Sequence, residues 1–304
     1  ILSSRMMKAM QRALEAKQQA VVFLNRKGFS RSLTCKDCGY VPQCITCGVA
    51  LIVYQKPGRL RCSYCGAVHT PPETCPSCQS VRLEATGYGT ERVEALIREK
   101  FPDVTVARFD RETVKTSLQE TVILEHVQKK TINIVIGTEM LFRVQSLPPM
   151  QCVGMPNADG GLHFPDFRSA ERTYHRLMEA LQLVDKKSSD SIIIIQTLLP
   201  THHVIRAVAH RDSMVFYQEE LQIRRELQYP PYSLLIHIAI SGKRAERVKS
   251  MALKCRERLV DLMPKGPSQH SKDIPQGADG VLGPLLSLHQ KIPGLTRYIL
   301  IVKE

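Results

Sequence analysis

Tryptophan is absent from this chain of 304 residues, and all aromatic residues together make up 6%. A broad aromatic platform for stacking single-stranded bases is therefore excluded. No apolar run approaches the roughly 20 residues that a membrane-spanning helix needs, so no membrane role is expected and a cytoplasmic location is. No secretory signal is visible, which removes the usual setting for structural disulfides. There is no internal repeat and no heptad pattern. Acidic residues are scarce: 29 Asp and Glu stand against 42 Lys and Arg, for a formal net charge of +13. Such a balance suits an acidic partner, nucleic acid above all, and its bland alternative is a surface merely rich in Lys and Arg. The chain begins at Ile1 and not at Met, as a piece of something longer would.

Cysteine, by contrast, is concentrated. Four CxxC pairs fall in one stretch: Cys35/Cys38, Cys44/Cys47, Cys62/Cys65 and Cys75/Cys78. A CxxC bends the backbone so that two thiolates grip one metal from the same side, and two pairs complete a tetrahedron around zinc. Four pairs therefore call for two structural Zn²⁺ ions. Each such site carries a net charge of −2, leaving the chain basic at roughly +9. Gly39, Gly48 and Gly66 each follow a pair directly, where a tight turn often needs glycine. Linear pairing would join the first pair to the second. Residues Ala50 to Arg61 read as a β-hairpin turning at Lys56-Pro57-Gly58, and such a hairpin sets the second pair against the third. The expected arrangement is therefore nested, with Cys35, Cys38, Cys75 and Cys78 on one zinc and Cys44, Cys47, Cys62 and Cys65 on the other. Cys152 and Cys255 stand alone and read as buried structural thiols.

Around this stretch the pattern is α/β. Ser4 to Lys17 is a helix with a Met stripe on its core side, and Ala20–Asn25 is a continuous apolar run of the kind a buried parallel strand shows. Helices over Thr90–Phe101, Ser117–Lys129 and Ser169 to about Leu183 alternate with strands at Val104–Phe109, Thr131–Ile136, Gln151–Met155 and Ser191–Gln196. Alternation with short loops predicts a parallel sheet with helices on both faces. Residues 1–34 and 79–200 then form a discontinuous lobe, 35–78 an inserted zinc module, 201–229 a helical connector, and 230–304 a small α+β domain opening at Pro230-Pro231. Lys265 to Asp279 is polar and reads as a loop. Asp110 and Arg111 are expected to orient strand ends, Glu171 and Arg172 to form local or interface ion pairs, and His202 and His203 to lie at the surface or a helix start.

A set of ordered motifs carries a family resemblance. Phe23-Leu24-Asn25-Arg26-Lys27-Gly28-Phe29, the four CxxC pairs and Gly87-Tyr88-Gly89-Thr90-Glu91 come first. Arg108-Phe109-Asp110-Arg111-Glu112-Thr113, Ile136-Gly137-Thr138-Glu139-Met140-Leu141 and Asn157-Ala158-Asp159 come next. His163-Phe164-Pro165-Asp166-Phe167-Arg168-Ser169-Ala170-Glu171-Arg172 and Tyr229-Pro230-Pro231-Tyr232 complete the set. In this order they resemble the C-terminal half of the primosomal protein N′ family, the bacterial replication-restart helicases of superfamily 2. The resemblance implies a helicase lobe 2 with the double-zinc module inserted, then the C-terminal domain. It also implies DNA replication in the bacterial cytoplasm, associated with the nucleoid. Forked or single-stranded DNA would be a partner, with single-strand-binding protein and other primosome proteins. ATP is implied by the family only.

The chain departs from the family where nucleotide chemistry resides. No GxxxxGKS or GxxxxGKT loop is present, so the phosphate cradle of a Walker A motif is missing, and no Walker B is visible either. Motif V, roughly GTQMLAKGHHFP, keeps its front at Gly137 to Leu141 and loses its Lys-Gly centre. Motif VI, roughly QVAGRAGR, falls on Glu179 to Lys186, and its two arginines become Leu183 and Lys186. Leucine cannot supply a fixed charge to a phosphoryl group, and lysine lacks the bidentate fork. A truncated fragment of a degenerate homologue, a paralogue that binds forks without unwinding them, and sequence errors in these segments all fit. The expected function is fork or branched-DNA recognition in replication restart through the zinc module, without ATPase activity of its own; no catalytic residue is assigned. A competent 3′-5′ helicase when joined to a lobe 1, and a zinc scaffold for protein assembly only, are the alternatives. Phosphate contacts are expected among Arg26, Lys27, Arg31, Lys36, Lys56, Arg59 and Arg61. Of these, Lys56, Arg59 and Arg61 stand on the hairpin. By the resemblance, Thr138 would touch a DNA strand.

Overall fold

The computed structural model describes residues 1–24, 32–53, 59–85, 89–144, 147–164, 166–262, 280–286 and 294–303. The chain opens on helix α1 (Ser4–Glu15), whose Ser3 cap accepts the Met6 N–H, and enters strand β1 (Ala20–Phe23). Five short strands come next in the cysteine-rich insertion: β2 (Leu33–Cys35), β3 (Ile52–Val53), β4 (Leu60–Arg61), β5 (Val68–His69) and β6 (Leu83–Ala85). Alternation resumes with α2 (Thr90–Lys100), β7 (Val106–Phe109), α3 (Ser117–Gln128), β8 (Ile134–Gly137), β9 (Cys152–Met155), α4 (Ser169–Leu181) and β10 (Ile192–Ile195). Helices α5 (His203–His210) and α6 (Ser213–Glu226) precede the C-terminal unit of β11 (Leu235–Gly242), α7 (Ala245–Leu262), β12 (Val281–Leu286) and β13 (Thr296–Lys303). Among the described residues no helix is long and apolar enough to cross a membrane.

The main sheet is parallel, in the order β10-β9-β1-β8-β7. Its three inner strands are buried at every position, as continuous apolar runs such as Ala20-Val21-Val22-Phe23 require. Side chains alternate faces along each strand. Val21, Phe23, Val135, Val153 and Met155 point to one side, where Tyr174 and Leu177 of α4, Val204 and Val208 of α5 and Phe216 of α6 cover them. Ala20, Val22, Ile134, Ile136 and Cys152 point to the other, under Met6 and Met10 of α1 and Val93 and Ile97 of α2. The sheet is thus an α/β layer with helices on both faces. The chain leaves β1 on one side for β7 and β8 and returns on the other for β9.

The span 201–229, read from the sequence as a connector, splits into two helices at Arg211, which takes a left-handed conformation with φ 54°. Asp212 caps the second helix through the N–H groups of Met214 and Val215. Both helices pack into the lobe core, and the Phe216 ring stacks on Tyr174 with centroids 4.2 Å apart. The hydrophobic stripe of α5, Val204-Ala207-Val208, explains this, because it cannot be left to water.

The insertion is closed at its neck by β2 and β6, antiparallel with Cys35 opposite Leu83. Inside it β3 pairs β4 with Ile52 opposite Arg61, and β5 adds a third strand. The hairpin read over residues 50–61 therefore has its arms, and its Lys56-Pro57-Gly58 turn lies outside the described residues. The C-terminal unit is an antiparallel sheet, β11-β13-β12, with α7 packed on it through Val248 and Ala252. The loop read at 265–279 lies outside the described residues.

Candidate metal centres and the joint around them

All four CxxC pairs fold into the same turn. In each, the N–H four residues after the first cysteine donates to that cysteine's carbonyl: Gly39 to Cys35, Gly48 to Cys44, Gly66 to Cys62, and Gln79 to Cys75. The first cysteine's own N–H reaches one residue further, to the carbonyls of Tyr40, Val49, Ala67 and Ser80. The closing residue must adopt a left-handed backbone, with φ of 75°, 63°, 79° and 60° in chain order. Three of the four are glycine. A side chain there would strike Leu198 at 2.8 Å, Leu227 at 2.5 Å or Leu285 at 2.7 Å, respectively. The fourth turn faces solvent, and Gln79 occupies it instead.

The turns gather thiols in two groups, Cys35, Cys38, Cys75 and Cys78, and Cys44, Cys47, Cys62 and Cys65, with the sulfur atoms of each group all within 4.8 Å of one another. The grouping is nested. Sulfur separations of 3.6 Å for Cys35 and Cys78, 3.5 Å for Cys38 and Cys75, and 3.6 Å for Cys44 and Cys65 are far too long for disulfides. They suit a tetrahedron with metal–sulfur bonds of ~2.3 Å, whose edges are about 3.8 Å. The electrostatics agree. Burial opposes ionisation of Cys35, but the N–H groups of Cys38 and Asp37 and the thiols of Cys78 and Cys38 bring it down to about 6. Cys78 has the Ser80 N–H in favour of its thiolate, yet Cys38, Cys35 and Cys75 push it up to about 12. In the other group the surrounding thiols lower Cys44 and raise Cys47. Thiols packed this closely resist losing all their protons until a cation sits among them. The donor set therefore fits zinc at both places.

The two groups have different surroundings. Cys44, Cys47, Cys62 and Cys65 are all buried, in a core shared with Tyr64, Tyr229 and Ile301. In the outer group Cys35 and Cys75 are buried, Cys38 is half-buried and Cys78 is exposed. Tyr229 is the pivot of the inner core. Its hydroxyl donates to the Cys47 carbonyl at 2.6 Å, its ring stacks on Phe167 at 4.9 Å, and it meets Tyr64 edge-on at 6.3 Å. The Tyr64 hydroxyl accepts the Phe167 N–H at 3.1 Å. Burial raises the pKa of both tyrosines, so both stay protonated. From the C-terminal sheet, Lys303 lies 4.8 Å over the Tyr229 ring and donates to the Leu227 carbonyl at 2.6 Å. Arg224 closes the joint, bonding Glu171 and Glu220 at 2.9 Å each and the Pro230 carbonyl at 3.3 Å. The lobe, the cysteine module and the C-terminal sheet thus meet at one cluster. Sequence reading missed Tyr64, Tyr229 and Arg224 as its parts. The sole trace was the Tyr229-Pro230-Pro231-Tyr232 motif.

The remaining residues singled out from the sequence are dispersed. Lys36 lies 3.8 Å from Glu84. Arg59 is exposed, whereas Arg61 is half-buried with a guanidinium nitrogen 3.7 Å from where a Gly66 side chain would begin. Lys56, Arg26, Lys27 and Arg31 lie outside the described residues. Thr138 directly follows β8 and is 8% exposed, its N–H donating to the Phe109 carbonyl. Burial opposes ionisation of Asp110, but the Thr90 hydroxyl, the N–H groups of Glu112 and Thr113 and the Arg108 guanidinium bring it down to about 2. Arg111 pairs with Glu139 at 3.5 Å, and Arg176 holds the same carboxylate at 2.8 Å. Arg172 pairs with Asp166 at 2.9 Å. Both histidines stand at a helix start, as expected: His202 caps α5 and accepts the Val204 N–H, and His203 is its first residue, buried against Glu220 at 3.1 Å. Leu183 packs into the lobe core and Lys186 donates to Gln182 at 2.6 Å. Cys152 is buried, whereas Cys255 is half-exposed and so not the buried thiol expected.

A parallel α/β lobe interrupted by two complete cysteine tetrads and followed by a small antiparallel domain defines the class: an α/β protein carrying an inserted module with two candidate zinc sites. No protein-family model matches the chain. Curated relatives do. It is 33% identical over 304 residues to replication restart protein PriA of Treponema pallidum (strain Nichols), covering all of this chain and 44% of the relative. It is 32% identical over 303 residues to that of Bacillus subtilis (strain 168), covering 36% of the relative, and 30% identical over 303 residues to that of Haemophilus influenzae, covering 40%. The chain belongs to the replication restart protein PriA family and corresponds to the C-terminal portion of its members. It spans less than half the length of these relatives.

Proposed function

We propose that this chain is the DNA-engaging portion of a replication-restart protein, that it recognises forked or branched DNA, and that it does not hydrolyse ATP by itself. The observation that carries the reading is the pair of complete cysteine tetrads within a chain related along its whole length to replication restart proteins. Cys35, Cys38, Cys75 and Cys78 would hold one zinc, and Cys44, Cys47, Cys62 and Cys65 the other. Four sulfur donors leave no open position, so the metal supplies a fixed cross-link and no catalytic water. The residues of the chain do the rest. The turns hold each thiol in place, and the joint at Tyr229 fixes the module relative to the C-terminal sheet.

Phosphate contacts are assigned first to Arg59, exposed on the module, with Lys56 beside it in the sequence. Arg61 lies against Gly66 and supports the strand. Thr138, being covered, holds a strand end that a DNA strand would pass. Helix α7 offers a second basic line: Arg244, at its start, and Arg247, Lys254 and Arg258 are exposed and recur at helical spacing, one face in about 21 Å. Six such contacts predict a salt slope near −5.4, so raising salt from 50 to 200 mM weakens binding roughly 2,000-fold. A forked DNA carrying a fluorophore, titrated at several salt concentrations, tests this. Affinity that is flat in salt removes the reading and leaves the zinc scaffold.

The absence of turnover is supported by the core position of Leu183, by the Gln182 contact of Lys186 and by the closure of Glu139 between two arginines. None of these presents a free guanidinium to a phosphoryl group. The greater length of the relatives favours a second reading, an ATP-dependent 3′-5′ helicase completed by a lobe 1. ATP turnover by this chain, stimulated by single-stranded DNA, would establish catalysis here. Single-strand-binding protein and other primosome proteins are the proposed protein partners, met in the cytoplasm at the nucleoid.

A further inference from the structure

We propose that the two tetrads have unequal jobs: the inner one is a metal-dependent latch holding the C-terminal sheet to the lobe, and the outer one is a solvent-facing site that exchanges its metal independently. The inference rests on the zinc reading above and goes beyond it. All four inner thiols are buried, and the residues covering them come from three units: Tyr64 of the module, Phe167 of the lobe, and Ile301 with Lys303 of the C-terminal strand. Two of the inner turns are themselves clamped. Leu227, at the end of α6, sits where a Gly48 side chain would be, and Leu285 of β12 where that of Gly66 would be. The Tyr229 hydroxyl ties its ring to the second ligand of the inner group through the Cys47 carbonyl.

A chelator displaces zinc by reaching the metal, so a ligand shell with no exposed side resists it until its cover opens. Opening the inner shell requires parting Tyr229 and the C-terminal sheet from the module. Conversely, losing the inner metal lets four crowded thiols spread, and Cys47, the bonding partner of Tyr229, moves with them. The outer group carries no such cover on its last turn. Pro76, Ser77, Cys78 and Gln79 are all exposed, and only its first turn is pressed, by Leu198 and Leu199 of the lobe.

The test uses the full chain loaded with zinc. Native mass spectrometry first counts the metal; fewer than two ions per chain defeats the zinc reading itself, independently of any release kinetics. Dilute 4-(2-pyridylazo)resorcinol then reports release. The expected course is two phases of one equivalent each, differing at least tenfold in rate. Hydrogen exchange in β13 should rise with the slow phase only. Tyr229→Phe should quicken the slow phase by about tenfold, the loss of one buried hydrogen bond, and leave the fast phase alone. Cys78→Ser should weaken or remove the fast equivalent only. A single phase of two equivalents, β13 opening with the fast phase, or a slow phase indifferent to Tyr229→Phe overturns the proposal.

Discussion

Replacing Tyr229 tests whether three units really share one joint. The residue is 5% exposed, and its hydroxyl donates to the Cys47 carbonyl at 2.6 Å. Tyr229→Phe keeps the ring and leaves that carbonyl without its donor, a loss of about 1–2 kcal/mol. Tyr229→Ala also empties the space between Phe167 and Tyr64, at 4.9 and 6.3 Å from the ring. That cavity costs ~3–5 kcal/mol, including roughly 1 kcal/mol of aromatic contact. The control is Tyr217→Phe, on a residue 43% exposed, which should stay within about 0.5 kcal/mol of the parent. Urea titrations of the zinc-loaded chain, followed by far-ultraviolet circular dichroism since the chain has no Trp, give the order Tyr217→Phe, Tyr229→Phe, Tyr229→Ala. If Tyr229→Ala unfolds at the same urea concentration as the control, the ring is not a core element and the shared joint is wrong.

Asp110 supplies a pH test. Its folded pKa of about 2 lies below the ordinary 3.8, so its stabilisation is present above that ordinary value and is lost as pH falls toward 2. Asp110→Asn should therefore be destabilised at pH 7 and converge with the parent near pH 2; a constant gap contradicts it. Gly66→Ala should cost about 2 kcal/mol or more, from its left-handed backbone and the clash with Leu285, as read from the unfolding midpoint. Gln79→Gly, at the equivalent turn, should stay within ~0.5 kcal/mol of neutral, because relief of strain is offset by glycine's freedom in the unfolded chain. Arg224→Lys, which gives up the fork between Glu171 and Glu220, should lower stability by ~2–4 kcal/mol; an unchanged melting temperature would refute the role given to that arginine.

Local signals made much of this legible in advance. The parallel sheet could be read because Ala20–Phe23 and Ile134–Gly137 are apolar without interruption, and a doubly covered strand has no other composition available to it. The thiol groups were legible because spacing alone places two sulfurs on one side of a turn. The joint was not legible. Tyr64, Phe167, Arg224 and Tyr229 are spread over 166 positions of sequence, and nothing in the helical face around Arg224 marks it as a buried partner for two carboxylates. The same limit hid the docking of α5 and α6. Their charge suggested a connector, while the narrow stripe Val204-Ala207-Val208 decided the packing. The helix start at His202 and His203 was legible, whereas the buried partner of His203, Glu220, seventeen positions away, was unknowable from spacing. The basic residues show the converse. Lys36 and Arg61 looked alike in sequence, yet one stands near a carboxylate and the other lies along a glycine turn, so charge by itself did not pick out Arg59 as the exposed one of these three described cations.

The most direct test of the account is forked-DNA binding by the zinc-loaded chain measured beside the same chain stripped of metal, at one moderate salt concentration. Two zinc ions per chain and fork binding that falls at least tenfold on stripping, recovering when zinc is restored, is the predicted result. Fork binding that is equal with and without metal would contradict the claim that the cysteine module shapes the DNA-facing surface.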